Sequence, residues 1–330
     1  MKIDRGWVLR AGISLLALGG LGYFLRDKLE AALLILRHGL QWEWFLAAIG
    51  AYGLAIAITS KRLQMIFHVQ KVKVSFLQTV HLTFLGLFFT LFLPSALGGD
   101  IAKGYFAFQY SGKKLGSFTG VVLDRMVGFI SLFPIVLTAL AVYGKTLATP
   151  AVERSVIGAL AVFLFAGLFF SSRRFAKKFG VLSFLIPSKE WRQKLSDLYH
   201  AIRGYRNHKG IFAGCFVISI VSQLIFIWDV YLLARSLGIE ASPWPFFVMV
   251  PLVGFVSLAP SVSGLGVREA GFVFFFKSIM PAEKALALSI LYDILFYGVA
   301  LAAGLLFAFK GGLRKNVIHD LEAAAKLQEA

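Results

Sequence analysis

Cysteine is nearly absent: Cys215 is the single one in 330 residues. No intrachain disulfide and no cysteine-based metal cluster can form. Charge is scarce too, at 15% of residues, where a soluble domain carries about 25%. Acidic residues are scarcer still, with 17 Asp and Glu against 34 Lys and Arg, for a formal charge of +17. The six histidines, His38, His68, His81, His200, His208 and His319, show no ligand spacing. No phosphate-cradling P-loop occurs, and no nucleophile stands beside a histidine. These gaps leave no expected metal or cofactor and no ATP-driven chemistry.

What fills the chain is apolar: 58% of residues are hydrophobic. A fold of this length cannot hide that much apolar surface from water, so lipid is its expected solvent. The basic residues sit between the apolar runs. That is the pattern by which cytoplasmic loops set membrane orientation, and it excludes nucleic acid as the expected partner. Lys2, Arg5 and Arg10 make a basic start to the first run, with no small-residue cleavage site before a soluble remainder. A retained first span is expected, not a cleaved leader.

Six runs are long enough to cross a bilayer, which takes about 20 mostly apolar residues: Trp7–Leu25, Trp42–Thr59, Ser117–Tyr143, Ser155–Phe170, Ile211–Ala234 and Ala285–Phe309. Two more stretches are interrupted. Ser75–Tyr110 breaks at Leu93-Pro94-Ser95-Ala96-Leu97-Gly98-Gly99-Asp100. Trp244–Met280 breaks at Ala259-Pro260-Ser261-Val262-Ser263-Gly264-Leu265-Gly266. Proline and clustered glycine end helices, and bare backbone survives at membrane depth only beside protein or trapped water. Each stretch is therefore expected to be a re-entrant or broken hairpin. Treating both as hairpins also puts most basic residues on one side, with both termini cytoplasmic, as the positive-inside bias requires.

The fold class expected is an all-α polytopic membrane protein: one integral domain over residues 1–330, with six spans and two hairpins. Pro94-Ser95 and Pro260-Ser261 are each followed by glycine at one offset (Gly98, Gly264), and each lies within a span–hairpin–span unit. Units at about 42–143 and 210–309 facing opposite ways make an inverted repeat, the plan of many secondary transporters. Between them, Trp191, Leu195, Leu198, Ile202 and Tyr205 recur at helical spacing among Lys194, Arg203, Arg206 and Lys209. A basic interfacial helix is expected within linker 173–209, as is a weaker one along Leu29, Leu33, Leu36 and Leu40.

An ionisable residue in hydrocarbon costs about 2.5–3.5 kcal/mol, so it needs a partner or a task. Asp124 and Arg125 are adjacent, point about 100° apart on a helix and need separate partners. Asp100 and Lys103 share a face if a helix restarts after Gly99. Arg268 and Glu269 follow Gly264-Leu265-Gly266 near a half-helix N-terminus, whose free N–H groups suit an anion. Asp293, midway along the last span, is a counter-ion or proton-carrier candidate. Lys277 is expected to snorkel, and Asp229 to sit at the outer interface beside Trp228. The plain alternative is that these residues are buried ion pairs fixing the hairpins.

Pro94-Ser95-Ala96-Leu97-Gly98-Gly99-Asp100-Ile101-Ala102-Lys103, then Asp124-Arg125, then Pro260-Ser261-Val262-Ser263-Gly264-Leu265-Gly266-Val267-Arg268-Glu269 resembles the flippase-like membrane domain family. This is the transmembrane region of lysylphosphatidylglycerol synthases and of many stand-alone proteins. The resemblance covers nearly the whole chain and implies a lipid-translocating domain of the cytoplasmic membrane. Asp100, Lys103, Asp124, Arg125 and Glu269 match its polar positions. Two departures stand out: Lys103 where the family usually has Arg, which loses bidentate phosphate geometry, and Ser261 and Ser263 where proline or glycine is frequent. Only about 20 residues follow Phe309, so no aminoacyl-transfer domain is expected.

The substrate expected is an anionic, glycosylated or isoprenoid-phosphate lipid. Its headgroup would lie among Gly98, Gly99, Asp100, Lys103, Asp124, Arg125, Gly264, Gly266, Arg268, Glu269 and Asp293. Two other readings stay open: a membrane lipid glycosyl- or phosphotransferase with Asp100, Asp124 and Glu269 as acid–base groups, or a non-catalytic subunit docking a lipid-modifying enzyme.

Overall fold

A computed structural model describes residues 39–92, 98–147, 209–257 and 265–309, with isolated positions near residues 34–37 and at 158. The expected spans Trp7–Leu25 and Ser155–Phe170, linker residues 173–208, and residues 93–97 and 258–264 in the two expected interruptions lie outside the described residues, Gly264 among them.

The described segments are helical. In chain order they are α1 (Trp42–Val69), α2 (Phe76–Phe92), α3 (Gly98–Ser111), α4 (Lys114–Ile130), α5 (Leu132–Leu147), α6 (Lys209–Ser236), α7 (Phe246–Val256), α8 (Val267–Phe276) and α9 (Ala282–Phe309). Among the described residues four helices are long and apolar enough to cross a membrane: Trp42–Val69, Lys114–Val142, Gly210–Ser236 and Ala282–Leu305. They correspond to the four expected spans that fall within the described residues. α1 outruns its expected end at Thr59 by almost three turns. Ser60 stays inside the bundle, and Lys61 turns outward while Arg62 turns in. The small break between α4 and α5 comes from Pro134, which has no N–H for the carbonyl of Ile130. The Ser131 hydroxyl bonds back to the Gly128 carbonyl there at 2.7 Å.

α1 and α6 form the spine. Each has 28 residues and is about 42 Å long at 1.5 Å per residue. They run antiparallel over their whole length. The Gln41 N–H donates to the Ser236 carbonyl at 2.7 Å at one end. Tyr52 meets Phe226 edge-on at 5.6 Å midway. Ile66 and Cys215 share a buried cluster near the other end. Gly238, at φ +65°, ends α6 with the Ile239 N–H returning to the Ala234 carbonyl at 3.1 Å. That left-handed turn suits glycine.

The interrupted stretches are antiparallel hairpins. In the first, His81 Nδ1 is 3.0 Å from the Tyr110 hydroxyl near the base. Phe89 faces Phe106 at 6.0 Å further in. In the second, Phe246 packs edge-on against Phe276 at 5.1 Å, and Val253 lies against Gly271. Their arms have 17 and 14, and 11 and 10 residues. At 1.5 Å per residue all fall short of the roughly 30 Å hydrocarbon layer. The hairpins enter from opposite ends of the spine. Near the base of the first, Gly116 lies against Gln70 and Val72, just past the end of α1. At the base of the second, Phe246 packs on Tyr231, near the far end of α6.

The first hairpin closes through glycine. A Cβ on Gly99 would overlap the Gly86 carbonyl oxygen and the Thr90 hydroxyl, so two backbones touch where any side chain would part them. Gly99→Ala should lower the Tm of the detergent-purified protein by several degrees, as overpacking costs about 1–3 kcal/mol. Gly254→Ala, with nothing within 4 Å of the added methyl, should leave Tm unchanged.

Candidate functional site

The expected polar residues fall into three groups, each assembled by packing that the sequence alone does not show. The first spans α3 and α4. Asp100, in the opening turn of α3, accepts from Arg125 of α4 and lies 3.4 Å from Lys103 Nζ. The helix N-terminus adds its own stabilisation of that carboxylate. Two cations, Lys103 and Arg125, thus converge on one carboxylate. It is also half-open: the three side chains are 17–27% exposed. Gly98 and Gly99 are buried beneath it at the hairpin tip.

Arg125 has a second role. Its guanidinium carbon lies 5.6 Å from the centre of the Phe129 ring, one turn along α4. Phe129 in turn stacks on Phe255 of α7, 6.1 Å between centroids and 27° between planes. Phe255 lies two residues before the chain break of the second hairpin. Asp100, Arg125, Phe129 and Phe255 therefore form one chain of contacts from the first hairpin to the second, with α4 between them.

The second group is a clamp. Asp124 accepts from Arg62 Nε of α1 at 2.7 Å, with the side chains 8% and 5% exposed. Arg62 also donates to Ser219 of α6. Asp124 and Arg125 thus do take separate partners, as their helical spacing demands. Asp124, expected to line the pocket, is instead occupied in tying α1, α4 and α6 together. Arg62 escaped the sequence reading because Lys61–Lys73 reads as a basic loop. The signal that could have found it is a guanidinium flanked by Leu63 and Ile66 at helical spacing.

The third group lies on α8 and α9. Gly266, at φ +81°, sets the start of α8, a conformation that glycine tolerates. Arg268 pairs with Asp293 of α9 and donates to the Tyr297 hydroxyl at 2.9 Å. Its guanidinium carbon lies 5.3–5.5 Å from the centres of Tyr292, Phe296 and Tyr297. Glu269, in the first turn of α8, is 5% exposed, and neither of its carboxylate oxygens has a donor. Here two anions meet one cation, and the group is buried.

Two lone charges resolve differently. Lys277 is exposed and lies 5.0 Å from the Phe274 ring centre, consistent with a snorkelling end. Asp229, expected near the outer interface, is wholly buried in the bundle, and neither oxygen has a hydrogen-bond partner among the described residues. Trp228 takes the outward face at 43% exposure, so its neighbour, about 100° round the helix, points into the bundle.

A family model, lysylphosphatidylglycerol synthase TM region, matches residues 7–304. The chain belongs to this family. Its members are membrane domains of the flippase-like type, so this family member is a multi-pass membrane protein. No curated protein and no solved structure matches the chain.

Removing one partner of a buried ion pair costs about 3–5 kcal/mol. Arg62→Ala should accordingly lower the Tm of the purified protein by more than any exposed Lys→Ala. The double variant Arg62→Met/Asp124→Leu should recover most of that loss. Equal Tm values for Arg62→Ala and wild type would show that the clamp carries no stability.

Proposed function

We propose that this family member is a lipid transporter of the cytoplasmic membrane. An anionic or isoprenoid-phosphate headgroup would be held at the hairpin tips while the tails stay in lipid. One observation carries the reading. Asp100, Lys103 and Arg125 form a partly exposed group in which two cations share one carboxylate, on a hairpin too short to span the bilayer. Ionisable residues at membrane depth are costly and mark substrate paths. Lys and Arg hold phosphate oxygens through charge-assisted hydrogen bonds.

Three further features support this reading. The hairpins enter from opposite ends of the α1–α6 spine, the layout of an inverted repeat whose broken segments meet near the midplane. Charge is unequal between the two ends. Lys61, Lys71, Lys73, Lys113 and Lys114 are all exposed at the end where α1 finishes. At the other end Glu43, Glu240 and Glu283 accompany Arg235, Lys277 and Lys284. The positive-inside bias makes the lysine-rich end cytoplasmic. Finally, Asp100 and Asp124 each engage a guanidinium, as carboxylates that join helices do.

The test is transport by purified protein in liposomes, followed with fluorescent anionic and zwitterionic lipids. The anionic lipid should move faster. Arg125→Ala should slow it at least tenfold, because hydrogen bonds to charged groups contribute about 1.5–3 kcal/mol. Arg125→Lys should retain part of the rate. Equal rates for both lipids, unchanged in Arg125→Ala, would sink the headgroup assignment. Failure to move any lipid, together with co-purification of a lipid-modifying transferase, would favour the subunit reading. Turnover of a lipid donor substrate would favour the transferase.

A further inference from the structure

Glu269 presents a specific electrostatic problem. It lies in the third group with both oxygens lacking a donor, and it is 5% exposed. Its carboxylate is within hydrogen-bonding reach of the Asp293 carboxylate, itself 9% exposed. Ionised carboxylates only accept hydrogen bonds. Two of them in contact repel, and one proton held between their oxygens would remove that repulsion. Among the described residues the cation beside the pair is Arg268. It is committed to Asp293 and the Tyr297 hydroxyl and is covered by three aromatic rings. One guanidinium balances one carboxylate, and among the described residues the second has no cation of its own.

The groups facing the pair, element by element, do not change that balance. α8 supplies Arg268 and Glu269; α9 supplies Tyr292, Asp293 and Tyr297. Beyond Tyr292 lie Asp229 of α6 and Tyr52 of α1, within electrostatic range of each other and of that tyrosine. α7 has no ionisable residue, and α2, which also packs on α9, has only His81. Among the described residues no cluster of three or more His, Cys, Asp or Glu side chains has the arrangement to hold a metal ion. A proton needs only the two oxygens that are there.

We infer that Glu269 and Asp293 share one exchangeable proton, and that its release and rebinding couple lipid movement to the transmembrane pH gradient. The proton moves from the bridged pair to water when the second hairpin shifts, leaving two carboxylates facing Arg268. That state is costly in a buried site, so the hairpin position and the proton are tied to each other. The proton site rests on geometry alone; the coupling rests on the transport reading.

Two measurements separate the parts. Infrared difference spectra between neutral and alkaline pH should show a protonated carboxyl band. Recording them in an Asp229→Asn background removes the other buried carboxyl. The band should disappear in Glu269→Gln and shift in Asp293→Asn. In proteoliposomes, anionic lipid flux should rise at least threefold when a pH gradient is imposed, and a protonophore should abolish the rise. In Glu269→Gln, the ratio of rates with and without the gradient should fall to about one, whatever the absolute rate. Absence of the band overturns the proton site. A band with gradient-insensitive flux overturns the coupling and leaves transport intact. Response to a sodium gradient at fixed pH overturns the identity of the ion. No flux under any gradient overturns coupling and transport reading together, while the band still decides the proton site.

Discussion

A charge inside a bilayer must meet an opposite charge, give up its ionisation or reach water, and the interior of this protein is arranged around that demand. The three polar groups meet it in three ways. Arg62 and Asp124 neutralise each other completely, with the Ser219 hydroxyl as a further acceptor. Asp100, Lys103 and Arg125 set two cations on one carboxylate and stay partly open. Arg268, Glu269 and Asp293 set two carboxylates beside one cation and are shut in. Backbone at the hairpin tips imposes a related demand, since irregular chain survives at membrane depth only against protein. α4 serves both hairpins, with Asp100 held at Arg125 and Phe255 stacked on Phe129 one turn along.

The two outer groups are opposite in composition and in access. One is half-open, with two cations on one carboxylate; the other is closed, with two carboxylates beside one cation. Each helix that starts at a chain break, α3 and α8, has its own carboxylate in the first turn, Asp100 and Glu269. The positive end of each half-helix is thus answered within the chain. In the first hairpin two cations compete for that carboxylate, and in the second a further carboxylate competes with it.

Much of this was legible in the sequence because membrane depth leaves a strong record. Apolar length marked the four spans that the structure describes, and proline with glycine marked both hairpin breaks. The adjacent Asp124 and Arg125 had to point apart on any helix. What escaped was pairing across helices. Lys61 and Arg62 look alike in a basic run, yet one faces outward and the other is locked beneath Ser219. Asp229 looked interfacial by its distance from the end of its span, but rotation about the helix, not depth, decides its burial. Gly86 gave no hint of its contact with Gly99, because a close approach depends on the partner's register. Nor could spacing distinguish Asp124, committed to Arg62, from Asp100, which is shared.

The clamp among Arg62, Asp124 and Ser219 has a mechanical consequence. It fastens α1, α4 and α6 at one level, and the two long helices also hold each other from Gln41 to Ile211. A frame braced in that way resists bending as a whole. Beside that frame the two hairpins are short leaves, each packed on α4 as well, through an ion pair on one side and an aromatic stack on the other. The outer wall is thus set by the long helices alone, independently of how the two leaves meet at their inner edge.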